Sequence, residues 1–147
     1  MTSATVQPVA FSALLDWYVR LTPQALDDIP RFYVPDAHFT DPFNDVRGYA
    51  AIRLIFEHMF EVVDAPRFQS ESQILGRYDA FATWTFTGSV RGAPFCVPGS
   101  THLCFGDDGR VVTHRDYWDA ATLWRQLPMI GGPVRLLQRR FAAPVPQ

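Results

Sequence analysis

The sequence predicts an α+β domain in which helices pack on one side of a curved, mostly antiparallel sheet. Apolar residues recur at helical spacing as far as residue 63, and from Pro66 onward the period switches from 3.6 to 2. Turn signals then divide the second half into a meander. The chain has 147 residues, 48% of them hydrophobic. One domain over 1–147 is expected, large enough for a core that needs neither disulfide nor metal.

Residues 1 to 8 read as a loose tail. Phe11, Leu14, Leu15, Tyr18 and Leu21 then mark one amphipathic helix. Thr22-Pro23 ends it and opens a second, with Thr22 as N-cap and Pro23 at the first helical position. Pro30 keeps that second helix short. The stretch HFTDPFND starts as a short strand and breaks at Asp41-Pro42, a common turn initiator. Gly48 precedes a third helix, whose Ile52, Ile55, Phe56, Met59, Phe60 and Val63 form a wide apolar stripe.

Residues 67–75 read as a strand and Gly76-Arg77 as a turn. Ala80, Ala82, Trp84 and Phe86 follow on one strand face, with Phe81, Thr83, Thr85 and Thr87 on the other. RGAP, 91–94, turns the chain into a strand through Leu103 and Phe105. GDDGR, 106–110, predicts a hairpin because Asp-Gly suits positive φ. The last strand is VVTHRDYWD, 111–119. One or two short helical pieces and a Pro-rich end form a C-terminal extension, 127–147, expected to cap a cavity mouth or reach a partner subunit.

Composition narrows the function. Thirteen Arg face fifteen acids, with no Lys, and the charges are scattered. A nucleic-acid partner needs a basic face, so none is expected. No window approaches a membrane span, and the N-terminus lacks a signal peptide's pattern, so a soluble cytoplasmic protein is the default. Cys96 and Cys104 read as buried free thiols in a reducing compartment. The four His, at 38, 58, 102 and 114, show no metal-ligand spacing, and no Gly-rich phosphate loop or nucleophile elbow occurs. No metal or cofactor is expected.

What remains is carboxylates and a phenol beside an apolar cavity, a setting for proton transfer on a small hydrophobic ligand. Burial raises a carboxylate's pKa and makes it a stronger base or a neutral acid near pH 7. Asp41 follows an aromatic strand residue and is either a turn cap or a base at the cavity mouth. Tyr18 lies on the apolar stripe of the first helix. In the last strand Val112, His114, Asp116 and Trp118 share one face, so if Trp118 faces the cavity, His114 and Asp116 come with it.

DWYVRL at 16–21, FYVPDAHFTDPFNDVRGYAAI at 32–52 and DGRVVTHRDYWD at 108–119 carry a family resemblance. Over most of residues 9–125 the chain resembles ketosteroid isomerases, in the NTF2-like (SnoaL-like) superfamily of cone-shaped α+β domains. The resemblance implies an enclosed pocket, a homodimer, and Asp41 as general base with Tyr18 as oxyanion donor. Thr101 stands where those isomerases keep a protonated Asp, a weaker donor than a carboxylic acid. The last strand is similar to limonene-epoxide hydrolases, matching Asp116 but lacking their Arg-x-Asp partner. Polyketide cyclases of the superfamily imply instead a His114–Asp116 pair.

Three function classes are carried forward. In the first, an enzyme acts on a small hydrophobic carbonyl, enol or epoxide with Asp41, Tyr18, Asp116 and His114 as catalytic groups. Thr101 then contacts substrate, and Phe32, Phe43, Phe56, Met59, Phe60, Trp84 and Trp118 are the walls. The second is a non-catalytic binder of hydrophobic ligands, and the third a dimeric scaffold meeting its copy through the outward face of residues 83–87.

Overall fold

The computed structural model describes residues 8–144. The expected loose tail lies outside the described residues except for Pro8, which opens helix α1 (Pro8–Val19). A 3-10 turn (Gln24–Asp28) and the one-turn helix α2 (Ile29–Phe32) follow. Thr22 Oγ1 accepts from Ala25 N at 3.2 Å, but the segment is a 3-10 turn with Pro23, not Thr22, at its N-cap position. Pro30 does not end the segment but sits inside the first turn of α2, where a missing N–H costs nothing.

Strand β1 (Tyr33–Thr40) is longer than the short strand expected near His38, and β2 (Asp45–Arg47) returns against it. Gly48 then takes φ +91° and caps helix α3 (Tyr49–Val62), a conformation that a side chain would strain. The meander is β3 (Asp64–Leu75), β4 (Asp79–Val90), β5 (Ala93–Phe105) and β6 (Val111–Trp118). Arg91 and Gly92 both adopt positive φ between the paired residues Val90 and Ala93, the two-residue turn whose twist suits a hairpin. Helices α4 (Ala120–Trp124) and α5 (Gly131–Phe141) end the described chain.

The six strands form one curved sheet in the order β2-β1-β6-β5-β4-β3, antiparallel except where β1 runs parallel to β6. α1 packs against β3, and α3 against β1, β2 and β3. Phe11, Leu14 and Leu15 of α1 meet Ile52 and Phe56 of α3 in a core completed by Tyr33, Phe39, Ala80, Ala82, Leu103 and Val111. Phe11 is fully buried, so truncation to Ala removes about 3–5 kcal/mol. No helix among the described residues is long and apolar enough to cross a membrane.

Two expectations change here. The pairing register between β5 and β6 shifts between Cys104 and Phe105, leaving Val112 as the extra residue of a bulge. Val111 is therefore buried and Val112 exposed, while His114 and Asp116 resume the inward face. The two cysteines are free but not buried in the core: β5 turns Phe95, Val97, Thr101 and Leu103 inward, so Cys96 is exposed and Cys104 half-buried.

Candidate active site

Sheet register sets the site. On β6, His114 pairs with Leu103 of β5 and with Phe39 of β1, and Asp116 pairs with Thr101. On the next strands Trp84 pairs with Gly99. Gly99 has a packing reason, since a Cβ there would collide with the Trp84 ring. The indole thus lies across β5 and its Nε1 donates to Thr101 Oγ1 at 2.7 Å.

These side chains form one chain of hydrogen bonds. The Thr101 hydroxyl donates to Asp116 Oδ1 at 2.5 Å, and His114 Nε2 meets the same oxygen at 2.8 Å. On the other edge of the ring, His114 Nδ1 lies 2.8 Å from the Tyr33 hydroxyl and 3.2 Å from that of Tyr18, and the two phenols bond each other. An ionised Asp116 can only accept, so Nε2 carries a proton and Nδ1 of a neutral ring accepts from Tyr33. Asp116 Oδ2 has no hydrogen-bond partner among the described residues. His114 is 2% exposed and the Asp116 side chain 16%, so the imidazole is sealed and the carboxylate reachable.

Burial raises the Tyr18 pKa well above the ordinary phenol value, helped by the adjoining Tyr33 and the charge of Asp116. Tyr33 is raised as well, again by burial first, with the bond to Tyr18 opposing and the Asp116 charge adding. Both stay protonated over the physiological range and serve as donors rather than bases.

The network borders a cleft lined by Leu15, Tyr18, Val19, Phe56, Phe68, Ser70, Trp84, Thr101, Leu103, His114 and Asp116. Its cavity volume is about 40 Å³, widening to 490 Å³ of empty space with the open mouth included. The narrow part holds only a few water-sized groups, so a larger ligand must shift the aromatic walls. Asp116 is its one carboxylate, and no Arg or Lys lines it.

Several sequence expectations are redistributed. Tyr18, His114, Asp116, Thr101, Trp84 and Phe56 come together in the cleft. Asp41 does not: it caps the β1–β2 turn, its Oδ1 accepting from Phe43 N at 2.8 Å and Asn44 N at 2.7 Å. Asn44 Nδ2 adds bonds to both carboxylate oxygens, at 3.0 and 3.1 Å. The turn chemistry of Asp-Pro prevails because it satisfies backbone donors that the loop would otherwise leave open.

Asp41 and Trp118 border a second, more open groove with Thr40, Pro42, Arg115 and Asp116, and Asp116 alone lines both this groove and the cleft. Phe43 is half-exposed and packs on Trp118 and Trp124. Phe32 packs at a tilt on Trp17, and Met59 and Phe60 pack partly buried against the core, so none of these five walls lines the cavity. Among the described residues, the C-terminal extension supplies no lining residue either. Instead α4 is followed by Gln126, which grips the Cys96 backbone N–H and carbonyl at 2.9 Å each.

The residues missed are Tyr33, Phe68 and Ser70. Alternation through Tyr33, Ala37 and Phe39 places a phenol on an apolar strand face, a signal that a hydroxyl needs a buried partner. The same alternation in β3 pairs Phe68 with Ser70.

The profile of the SnoaL-like domain matches residues 14–114. No protein of curated function matches the sequence significantly. Among solved structures, a protein of ketosteroid isomerase-like fold from Catenulispora acidiphila, crystallised with trimethylamine, superposes with a TM-score of 0.72. It is 17% identical over 88% of this chain and 97% of its own. A candidate SnoaL-like polyketide cyclase from Jannaschia sp. CCS1 gives 0.74 at 14% identity, covering 84% of this chain and 94% of that one. An epoxide hydrolase of limonene-epoxide-hydrolase type from M. tuberculosis gives 0.65 at 17% identity, over 89% and 94%. These similarities carry the fold, an NTF2-like cone, and not a reaction. With the profile spanning more than half the chain, this protein belongs to the SnoaL-like domain family.

Proposed function

We propose that the protein is a cofactor-independent enzyme that moves a proton α to a carbonyl on a small, mostly apolar substrate. One observation carries this reading: Asp116, which lines an apolar cleft, has one oxygen pinned by His114 and Thr101 and the other without a hydrogen-bond partner among the described residues. Asp116 Oδ2 takes the proton from carbon, and the C–H electron pair passes to the carbonyl oxygen as an enolate. Tyr18 turns its hydroxyl from Tyr33 to that oxygen, and the proton returns to the same or a conjugated carbon. His114 touches neither reacting atom and acts as a positioning residue. General-base catalysis of this kind is worth about 10²- to 10⁴-fold.

Hydrolysis of an epoxide is the weaker reading, because the cleft offers one carboxylate and no Arg to activate the ring oxygen. Cytoplasmic residence and a homodimer belong to the same proposal. Exposed Phe81, Ile74 and Tyr117 are the apolar residues that a second copy would cover.

The test is exchange of α-protons of 2-tetralone for deuterium in D₂O, followed by NMR. Wild-type protein should accelerate exchange and Asp116→Asn should lose the acceleration. Equal exchange by the two proteins removes Asp116 as the base. Binding of the ketone without any exchange leaves a hydrophobic-ligand carrier.

A further inference from the structure

Ser70 is the orphan of the cleft. Its Oγ is shut off from solvent and has no hydrogen-bond partner among the described residues, yet Ser70 lines the cavity. Buried hydroxyls are rarely left unpaired, because desolvating one without a partner forfeits its hydrogen bonds to water with nothing in return. The local backbone explains how it comes to point there. Ser70 pairs with Trp84, the next paired residue is Ser72 with Thr83, and Glu71 is the extra residue of a bulge. Phe68 and Ser70 are thus the last regular inward positions of β3, and beyond the bulge the strand is exposed.

The sheet places this hydroxyl away from the catalytic carboxylate. Ser70 stands on β3 and Asp116 on β6, with β4 and β5 between them. Adjacent strands lie about 4.8 Å apart, so the two backbones are roughly 14 Å apart along the sheet and closer across its concave face. Trp84 and Phe68 fill the interval with aromatic surface. A cleft with a base at one side, aromatic walls and an unpaired hydroxyl at the other matches a ligand with two polar ends.

We infer that Ser70 is a second polar anchor, binding an oxygen at the far end of a cyclic ketone whose α-carbon faces Asp116. This rests on the reading of the cleft as a carbonyl site and narrows it to substrates bearing a distal hydroxyl or carbonyl. The hydroxyl of Ser70 either donates to such an oxygen or accepts from it. Selectivity arises because a ligand lacking that oxygen leaves Ser70 unpaired when it fills the cleft.

The experiment compares 2-tetralone with 6-hydroxy-2-tetralone, binding being followed by calorimetry on wild type and Ser70→Ala. Wild type should prefer the hydroxylated ketone by about three- to tenfold, and Ser70→Ala should lose that preference. In the free protein Ser70→Ala should hold or raise Tm, by up to about 2–4 °C, since it deletes an unpaired group. A preference that survives in Ser70→Ala overturns the inference. So does the absence of any preference in wild type, a failure of either ketone to bind, or a drop in Tm showing that Ser70 was already paired. The proton-transfer reading fails separately: ketones that bind with the Ser70-dependent preference but exchange no deuterium disprove catalysis and uphold the anchor.

Discussion

His114 and Asp116 stand two residues apart on one face of β6 and share a 2.8 Å hydrogen bond, the imidazole sealed and the carboxylate reachable. The ring fixes one carboxylate oxygen, and the other, without a partner among the described residues, is the oxygen proposed to act as base. Asp116→Asn should therefore lose about 10²- to 10⁴-fold in exchange rate while circular dichroism stays native. An exchange rate within threefold of wild type would falsify the assignment.

The Thr101 hydroxyl ties one donor, the Trp84 indole, to one acceptor, the Asp116 carboxylate. Thr101→Val removes the 2.5 Å bond to Asp116 and leaves the Trp84 indole N–H without its acceptor. The expected cost is about 1–3 kcal/mol in urea unfolding, with a red-shifted Trp84 emission as the indole loosens. An unchanged urea midpoint would mean that the indole N–H finds another acceptor.

Asp41 gives the opposite pattern. Asp41→Ala deletes the acceptor of two backbone N–H groups in the 41–44 turn and should lower stability by about 1–2 kcal/mol. Exchange should stay within about twofold of wild type once folded protein is counted. A thousandfold loss at unchanged stability would return Asp41 to the mechanism.

The phenols predict a pH dependence of stability at the alkaline end. Tyr18 and Tyr33 have folded pKa values raised above the ordinary phenol value of 10.0, so the folded state keeps protons that the unfolded chain releases. Their contribution is fully present below pH 10 and falls as pH climbs from there toward the folded values. The slope is at most about 1.4 kcal/mol per pH unit for each phenol. Urea unfolding between pH 9 and 11.5 should show a steeper decline for wild type than for Tyr33→Phe. Parallel curves would mean that the two hydroxyls are not held protonated by the fold.

Gly99→Ala drives a methyl into the Trp84 ring. Overpacking of this kind costs about 1–3 kcal/mol, and the displaced indole narrows the cleft beside Ser70. A weaker affinity for 2-tetralone alongside a lower Tm is the expected pair of results. A variant that matches wild type in both would show that the ring has room to move.

How much of this was legible in the sequence depended on periodicity. Helices α1 and α3, the meander and its turns follow from the switch between periods of 3.6 and 2, and the shared face of His114 and Asp116 follows from alternation. The Val112 bulge was not legible, because one extra Val beside Val111 leaves no compositional trace. Asp41 was ambiguous for a physical reason: the Asp-Pro step that caps a turn looks the same as one that exposes a carboxylate. Phe43 and Trp118 read as walls because aromatic residues suggest burial, but they pack on each other beside a surface groove. Tyr33 shows the converse: β1 begins five residues before the short strand expected near His38, so the hydroxyl at its start was not assigned a place.

The parallel contact between β1 and β6 has a kinetic meaning. β3, β4, β5 and β6 join as hairpins of neighbouring strands, whereas Tyr33 and His114 meet from 81 residues apart. Short-range pairings close faster than long-range ones, because a long loop must first surrender its entropy. A chain that has folded only its meander already holds His114, Asp116 and Thr101, but not the phenols of α1 and β1. On the ribosome and in refolding alike, the two phenols arrive after the carboxylate. Under the proposed mechanism turnover becomes a reporter of the last step of folding, and a slow β1–β6 closure would show itself as a lag in activity behind the recovery of secondary structure.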